Sequence, residues 1–356
     1  MNKLWALGIM GLLSLPLSSK AQNLDQWLKT LEKPVAPKVE CADEEPEYCE
    51  DFFSYACHQF DQTPLIEKIP ETQESLDKYF SSLTGNQKDS KTWSENNYSL
   101  YLPAVDKVGI KIAQSLKLTD SEIQEAYEKA RSQLPVEAQS IKLMNATQAM
   151  NAAKAYAEKK YHFDSKTELE GEVIGAYNHE CGVGGTKAQI FTLPNNFIHV
   201  CPGFLLKLAE KSFSKEELLH SLETLFLHEF NHSMVPKTPT AKLQSCYLGK
   251  TGVHGYDEFT KVEKTTAWKN QSQEITADTL ASKNLNAKFK KLNLRGEAAA
   301  KALSGYSRLF CSQGAETFER SHPGGRFRMN IFTGNSEMRE RMGCKPKPAN
   351  ISNCSL

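Results

Sequence analysis

Two textures alternate along the chain. From about Ile66 to Tyr161, apolar residues recur every three or four positions among strong helix formers, most clearly in "SEIQEAYEKARSQL" and "ATQAMNAAKAYAEKKY". That spacing predicts a run of amphipathic helices, interrupted by the polar stretch "TGNQKDSKTWSENN". Near Glu168 the pattern changes. "EGEVIGAYNHECGVGGTKAQIFTLPNNFIHVCPGFLL" mixes β-branched and aromatic residues with Gly, Pro and Asn, which predicts several short strands joined by turns. Cys181 and Cys201 bracket this stretch, where a bridge could cross the hairpin. Helices resume at Ser214. In "SKEELLHSLETLFLHEFNHSM", Ser214 and Glu217 form a capping box, and Leu218, Leu219, Leu222, Leu225 and Phe226 form an apolar face; Pro236 closes the helix. No repeat of fixed period interrupts this order, and the pattern predicts an α+β, mainly helical fold.

The first residues belong to a different class. "MNKLWALGIMGLLSLPLSSKAQ" has a basic start at Lys3, an apolar run from Leu4 to about Leu17, and small residues at Ser19 and Ala21. This predicts a signal peptide over 1–21, followed by a linker and extended lead-in over 22–48. The apolar run is too short for a membrane span, and no later segment is long and apolar enough. Acidic and basic residues balance at 43 each, with no basic stripe, which argues against nucleic acid as a partner. An exported chain meets an oxidising compartment, so its nine cysteines default to disulfides, with at least one thiol left over or shared between molecules. Asn97, Asn145 and Asn231 begin N-x-S/T triplets, the last inside a helix bearing paired histidines, where a glycan could not be tolerated. This favours a bacterial source, with export to the periplasm or medium; separately, the chain is expected to be a monomer.

Candidate chemistry lies on two helices. His228 and His232, in "HEFNH", are four apart and share a helix face, so both rings can reach one tetrahedral ion. Glu229 then stands beside the first ligand as a general base. Taken alone, such a pair is more often just a polar helix face. About forty residues on, "QSQEITADTLASK" places Glu274 and Asp278 four apart. Glu274 can supply a third metal ligand, and Asp278 can accept a hydrogen bond from a ligand histidine, His228 being the expected one. In this order and at this distance, the two motifs predict a two-His, one-carboxylate zinc site with one Zn2+ per chain.

Two further stretches extend the pattern. "YCEDFFSYACHQF" and "SHPGGRFRMNIFTGNSEMRERMGC", taken with "HEFNH" and "EITAD", resemble in order the motifs of the neprilysin and endothelin-converting enzyme family of zinc metallopeptidases. The resemblance covers about 41–60 and 185–356. It implies a gluzincin with a zincin (thermolysin-like) catalytic domain over 166–356 and a reduced helical cap over 49–165. It also implies peptide or unfolded-protein substrates cleaved by a metalloendopeptidase mechanism. His322 would donate to the oxyanion and Arg328 would hold a substrate carbonyl or carboxylate. By the same resemblance Cys49 pairs with Cys344, Cys57 with Cys311 and Cys246 with Cys354, leaving Cys181 for Cys201 and Cys41 unpaired.

The chain departs from that family in three ways. It is shorter between Cys57 and the predicted strands, where members carry a large cap. The family's substrate-holding strand is replaced by "KAQIFTLPNNFIHVCPGFL", in which Gln189 and Ile190 stand nearest the expected pair, and which also resembles the corresponding strand of Ste24/HtpX-type peptidases. "SMVPKTP" follows His232 where Phe-Asp is usual. A second reading therefore stands beside the enzyme: a peptidase-derived binding or scaffold protein without useful turnover.

Overall fold

The computed structural model describes residues 45–58, 98–134, 140–182, 190–193, 197–209, 215–235, 240–249, 260–311, 322–346 and Cys354. The expected signal peptide, most of the linker, Cys41, Asn97, Gln189, Ser214 and Pro236 lie outside the described residues. In chain order the first elements are α1 (Glu47–Glu50), α2 (Phe52–His58), α3 (Tyr98–Ser115), α4 (Asp120–Arg131), β1 (Lys142–Leu143), α5 (Ala146–Lys160), α6 (Lys166–Cys181), β2 (Ile190–Leu193) and β3 (Phe197–Val200). There follow α7 (Pro202–Ala209), α8 (Lys215–His232), α9 (Ala241–Gly249), α10 (Lys261–Lys291), α11 (Gly296–Arg308), α12 (Gly325–Thr333) and α13 (Ser336–Arg341). Among the described residues the architecture is thus mainly helical with one small sheet. No helix among the described residues is long and apolar enough to cross a membrane.

The described residues divide into two compact units. The first holds 98–127, 140–182, 190–193, 197–209 and Lys215. Its core is a stripe on α3 (Tyr101, Leu102, Val105, Val108 and Ile112, all buried) that meets α5 and α7. Helix α5 turns small residues inward, Ala146, Ala149, Ala153 and Ala157, which allows close approach to α6. Its first turn is capped twice. Asn145 accepts from Gln148 N, and Asp106 of α3 accepts from Ala146 N at 2.7 Å and Thr147 N at 3.2 Å.

The predicted strands over 168–181 are a helix instead. Ser165 caps α6 by accepting from Glu168 N, and Leu169, Val173, Ile174, Ala176, Tyr177 and Cys181 form its buried face. Those positions already have helical spacing. Gly171 and Gly175, with the β-branched pair Val173 and Ile174, obscured the pattern, but tertiary packing overrides their low helix propensity. Within this stretch strands form only afterwards, as β2 and β3, which join the earlier β1 in a three-stranded sheet of order β1-β3-β2, with β1 parallel and β2 antiparallel to β3. The described residues among 166–215, assigned from sequence to the catalytic part, group with this unit: α6 packs on α5, and the Cys181–Cys201 disulfide fastens its end beside β3.

The second unit holds 45–58, 128–134, 216–235, 240–249, 260–311, 322–346 and Cys354. Helix α8 is its axis, buried without interruption from His220 to Asn231. An axis enclosed on every side must have partners for its polar groups. Accordingly Glu223 receives Lys288 Nζ at 2.6 Å and Gln133 Nε2 at 2.7 Å. Helix α10 begins with a capping box, Thr260 and Glu263. Helix α11 crosses α8 at Gly305, where a Cβ would stand 2.7 Å from Ser221 Oγ and 3.2 Å from Glu217 O.

Disulfides join Cys49 to Cys344, Cys57 to Cys311 and Cys246 to Cys354, the pairs named above. Polar contacts repeat the first of these ties: Arg339 Nη1 donates to Cys49 O and Tyr48 Oη to Met342 O.

Candidate metal centre

Three helices of the second unit, and the segment just before the last of them, deliver the site. Helix α8 presents His228 and His232 one turn apart, with ring centroids 4.7 Å from each other and planes at 88°. Glu274 and Asp278 come from α10 by the same spacing. His322 precedes α12, and Arg328 lies on α12 itself.

The donor atoms converge. His228 Nε2 is 3.1 Å from His232 Nε2 and 3.1 Å from Glu274 Oε2, and His232 Nε2 is 3.3 Å from Glu274 Oε1. Donors held tetrahedrally around zinc at its usual bond lengths stand about 3.3 Å apart, so the donor set matches in type and spacing. Glu229 is 7% exposed, and it offers a carboxylate oxygen that, with one nitrogen each from His228 and His232, forms a group within 4.8 Å. His322 Nε2 is 3.5 Å from Glu274 Oε1, and its side chain is 59% exposed, on the open side.

Behind the donors lies a fully buried network. Asp278, 0% exposed, has Oδ1 at 2.8 Å from His228 Nδ1. Arg328 grips the same carboxylate with Nε to Oδ2 at 2.8 Å and Nη2 to Oδ1 at 3.0 Å. Tyr306 Oη donates to Oδ1 at 3.3 Å. The resemblance gives Arg328 to substrate oxygens. In the structure Arg328 is 5% exposed and its guanidinium is engaged with Asp278, while Nη2 lies 3.2 Å from His228 and Cζ sits 4.7 Å from the Phe310 ring centroid. Gln189 lies outside the described residues, and Ile190 opens β2 in the first unit.

Charge makes the same point as geometry. Glu229, Glu274 and Asp278 bring three carboxylates, against which the network sets the single guanidinium of Arg328. With both histidines neutral, the state in which they ligate a metal, that leaves an excess of two negative charges in a region of low solvent access, a balance a divalent cation corrects; without one, the proton on His228 offsets one of the two. Burial would push the His228 imidazole down, but the facing Asp278 carboxylate outweighs it and holds the group up to about 10. Burial pushes His232 down to about 4, so it is neutral at pH 7. Glu274 and Asp278 stay ionised despite burial, Glu274 through His228 and His232, Asp278 through Arg328 and His228. Two other groupings of metal-ligand side chains among the described residues, Cys181–His199–Cys201 and Glu45–Cys49–Cys344, have their cysteines in disulfides.

Tyr306 and Phe310 were not singled out from sequence. Both continue the apolar stripe of α11 at helical spacing, and only their place beside Asp278 and Arg328 distinguishes them from ordinary core. Comparison with protein-family models, with curated proteins and with solved structures returns no match.

Proposed function

We propose that this chain is an exported, zinc-dependent endopeptidase of zincin type acting on peptides and unfolded protein segments. The observation that carries the reading is the convergence of His228 Nε2, His232 Nε2 and the Glu274 carboxylate at 3.1 to 3.3 Å, backed by Asp278 on His228 Nδ1. His228, His232 and Glu274 would hold the ion. A zinc ion there supplies positive charge for the scissile carbonyl oxygen and a water acidified toward neutral pH.

The protein's own groups do the rest. Asp278 takes the Nδ1–H of His228, which fixes the tautomer and leaves the Nε2 lone pair for the metal. Arg328 and Tyr306 hold Asp278 in turn, each bond leaving that carboxylate less freedom to rotate. A Glu229 oxygen accepts a proton from the attacking water and passes it to the leaving nitrogen. His322, on the open side of the site, directs an N–H at the developing oxyanion. The four disulfides support export, since such bonds persist in oxidising compartments.

The test is the chain from Gln22, made in an oxidising compartment and compared with Glu229→Gln. Bound zinc near one per chain in both proteins is expected, with cleavage of a quenched-fluorescent peptide library by the parent alone. Equal zinc without cleavage by either protein would identify a binding protein instead. Folded protein without zinc would end the metal reading.

A further inference from the structure

Only one of the four disulfides has both half-cystines away from the buried core. Cys57 and Cys311 are each half-buried, whereas Cys49, Cys344, Cys181, Cys201 and Cys354 are buried, which leaves every other bridge with at least one shielded sulfur. Cys246 is half-buried too, but among these bridges Cys57–Cys311 alone offers a reductant two half-cystines outside the core, and thiol–disulfide exchange begins at whichever sulfur is open to in-line attack.

What this bridge supports is the wall of the metal centre. Cys311 directly follows Phe310. The Phe310 ring is the surface on which the Arg328 guanidinium lies, and it meets Tyr306 edge-on with centroids 5.1 Å apart. Gly325 at the start of α12 packs so tightly there that a Cβ would run into Phe310 Cβ and come within 2.8 Å of Phe53 Cε2 on α2. The bridge therefore clamps α2 to the end of α11 at the point where α12, carrying Arg328, is seated on both. From Arg328 and Tyr306 the contacts continue to Asp278 and from there to His228 Nδ1.

We infer that Cys57–Cys311 is a redox-sensitive strut of the metal centre, acting through Phe310 as a positioning residue that keeps Arg328 and Tyr306 on Asp278. The inference rests on the zinc reading above. Reduction by a dithiol oxidoreductase balances simply: the bridge takes an electron pair and two protons and becomes two thiols, while the dithiol becomes a disulfide. With the clamp open, Phe310 and the start of α12 are no longer held together, Asp278 loses its fixed orientation, and His228 binds metal less well. Losses of this kind typically weaken metal affinity by about 10- to 100-fold.

The zinc-loaded chain from Gln22 would be titrated with a trialkylphosphine, which ends as the phosphine oxide with oxygen from water. Free thiols would be alkylated and mapped by mass, and released zinc read with a chromophoric chelator. The expected result is that Cys57 and Cys311 are labelled first and that zinc leaves in step. Cys57→Ser/Cys311→Ser, with its other three bridges intact by mass, should bind zinc at least about 10-fold more weakly than the parent. Its Co2+-substituted form should show an altered d–d spectrum, which a change confined to global stability would not produce. Phe310→Leu keeps the bridge and should reproduce the weaker binding, so the inference stays testable if the double variant misfolds.

First labelling at any other pair, or parental zinc affinity in the double variant or in Phe310→Leu, overturns it. Absence of stoichiometric zinc in the oxidised parent is a different outcome: it overturns the metal reading and this inference with it.

Discussion

Replacing Asp278 by Asn keeps the shape of the side chain and removes its charge. The parent carboxylate faces three donors in a fully buried position: His228 Nδ1 at 2.8 Å, Arg328 at 2.8 and 3.0 Å, and Tyr306 Oη at 3.3 Å. An amide offers one oxygen to these donors and turns its NH2 toward at least one of them. Two costs follow. Arg328 becomes a buried cation without its counter-charge, and breaking a buried pair from one side costs about 3–5 kcal/mol. His228 also loses the acceptor that sets its tautomer, and zinc affinity should fall by about 10- to 100-fold.

The double variant Asp278→Asn/Arg328→Leu separates these costs. It removes the orphaned cation and restores the excess of two negative charges from Glu229 and Glu274. Stability should return to within about 2 kcal/mol of the parent, since replacing both partners of a buried pair is often nearly neutral. Zinc affinity should stay at least about 10-fold low, because orientation of His228 is still lost. Urea unfolding in chelator measures the first quantity and competitive zinc titration the second. Parental zinc affinity in the double variant would falsify the orienting role of Asp278 and leave charge count alone as the cause.

Two other outcomes are expected. Gly305→Ala brings a methyl within 2.7 Å of Ser221 Oγ and 3.2 Å of the Glu217 carbonyl, and should cost about 1–3 kcal/mol in urea unfolding; adding Ser221→Ala should recover only part, because the backbone contact remains. On acidification the fold should weaken from about pH 6.5 downward, well above the ordinary carboxylate range. Burial pushes His199 down to about 3 and His220 well below its usual value, and neither ring nitrogen of His220 has a hydrogen-bond partner among the described residues. The unfolded chain therefore binds protons that the folded one refuses, and each histidine removes about 1.4 kcal/mol per pH unit over that window. Urea midpoints at pH 7, 5 and 4 should fall less steeply for His199→Gln than for the parent, and an equal slope would refute the assignment.

The site was legible wherever a helix repeats its own geometry. His228 with His232, and Glu274 with Asp278, stand four apart, and that spacing survives any arrangement of the helices around them. Arg328 could be located but not oriented: a guanidinium serves a substrate or a neighbouring carboxylate equally well until the position of Asp278 is known. Tyr306 and Phe310 gave no signal, because an aromatic residue on an apolar stripe is what any core requires. The misread stretch was α6, where Gly171, Gly175 and two β-branched residues outweighed a correct helical period by eye. Its spacing from Leu169 to Cys181 was the better guide, since packing onto α5 can hold a helix that propensity alone would not.

The bridges also set an order of events. Cys181 and Cys201 are separated by 20 residues, so their bond can close as soon as that stretch is extruded. Cys57 must wait for a partner 254 residues later and Cys49 for one 295 later. Loops of that length close late, and contacts of high sequence separation form slowly. The helices bearing Glu229 and Glu274 are thus synthesised well before the struts that complete their unit. A nascent or still-reduced chain carries His228, His232 and Glu274 without the assembled wall behind them, and on the function proposed above hydrolytic competence would mature only after translation has passed Cys344 and oxidation has caught up.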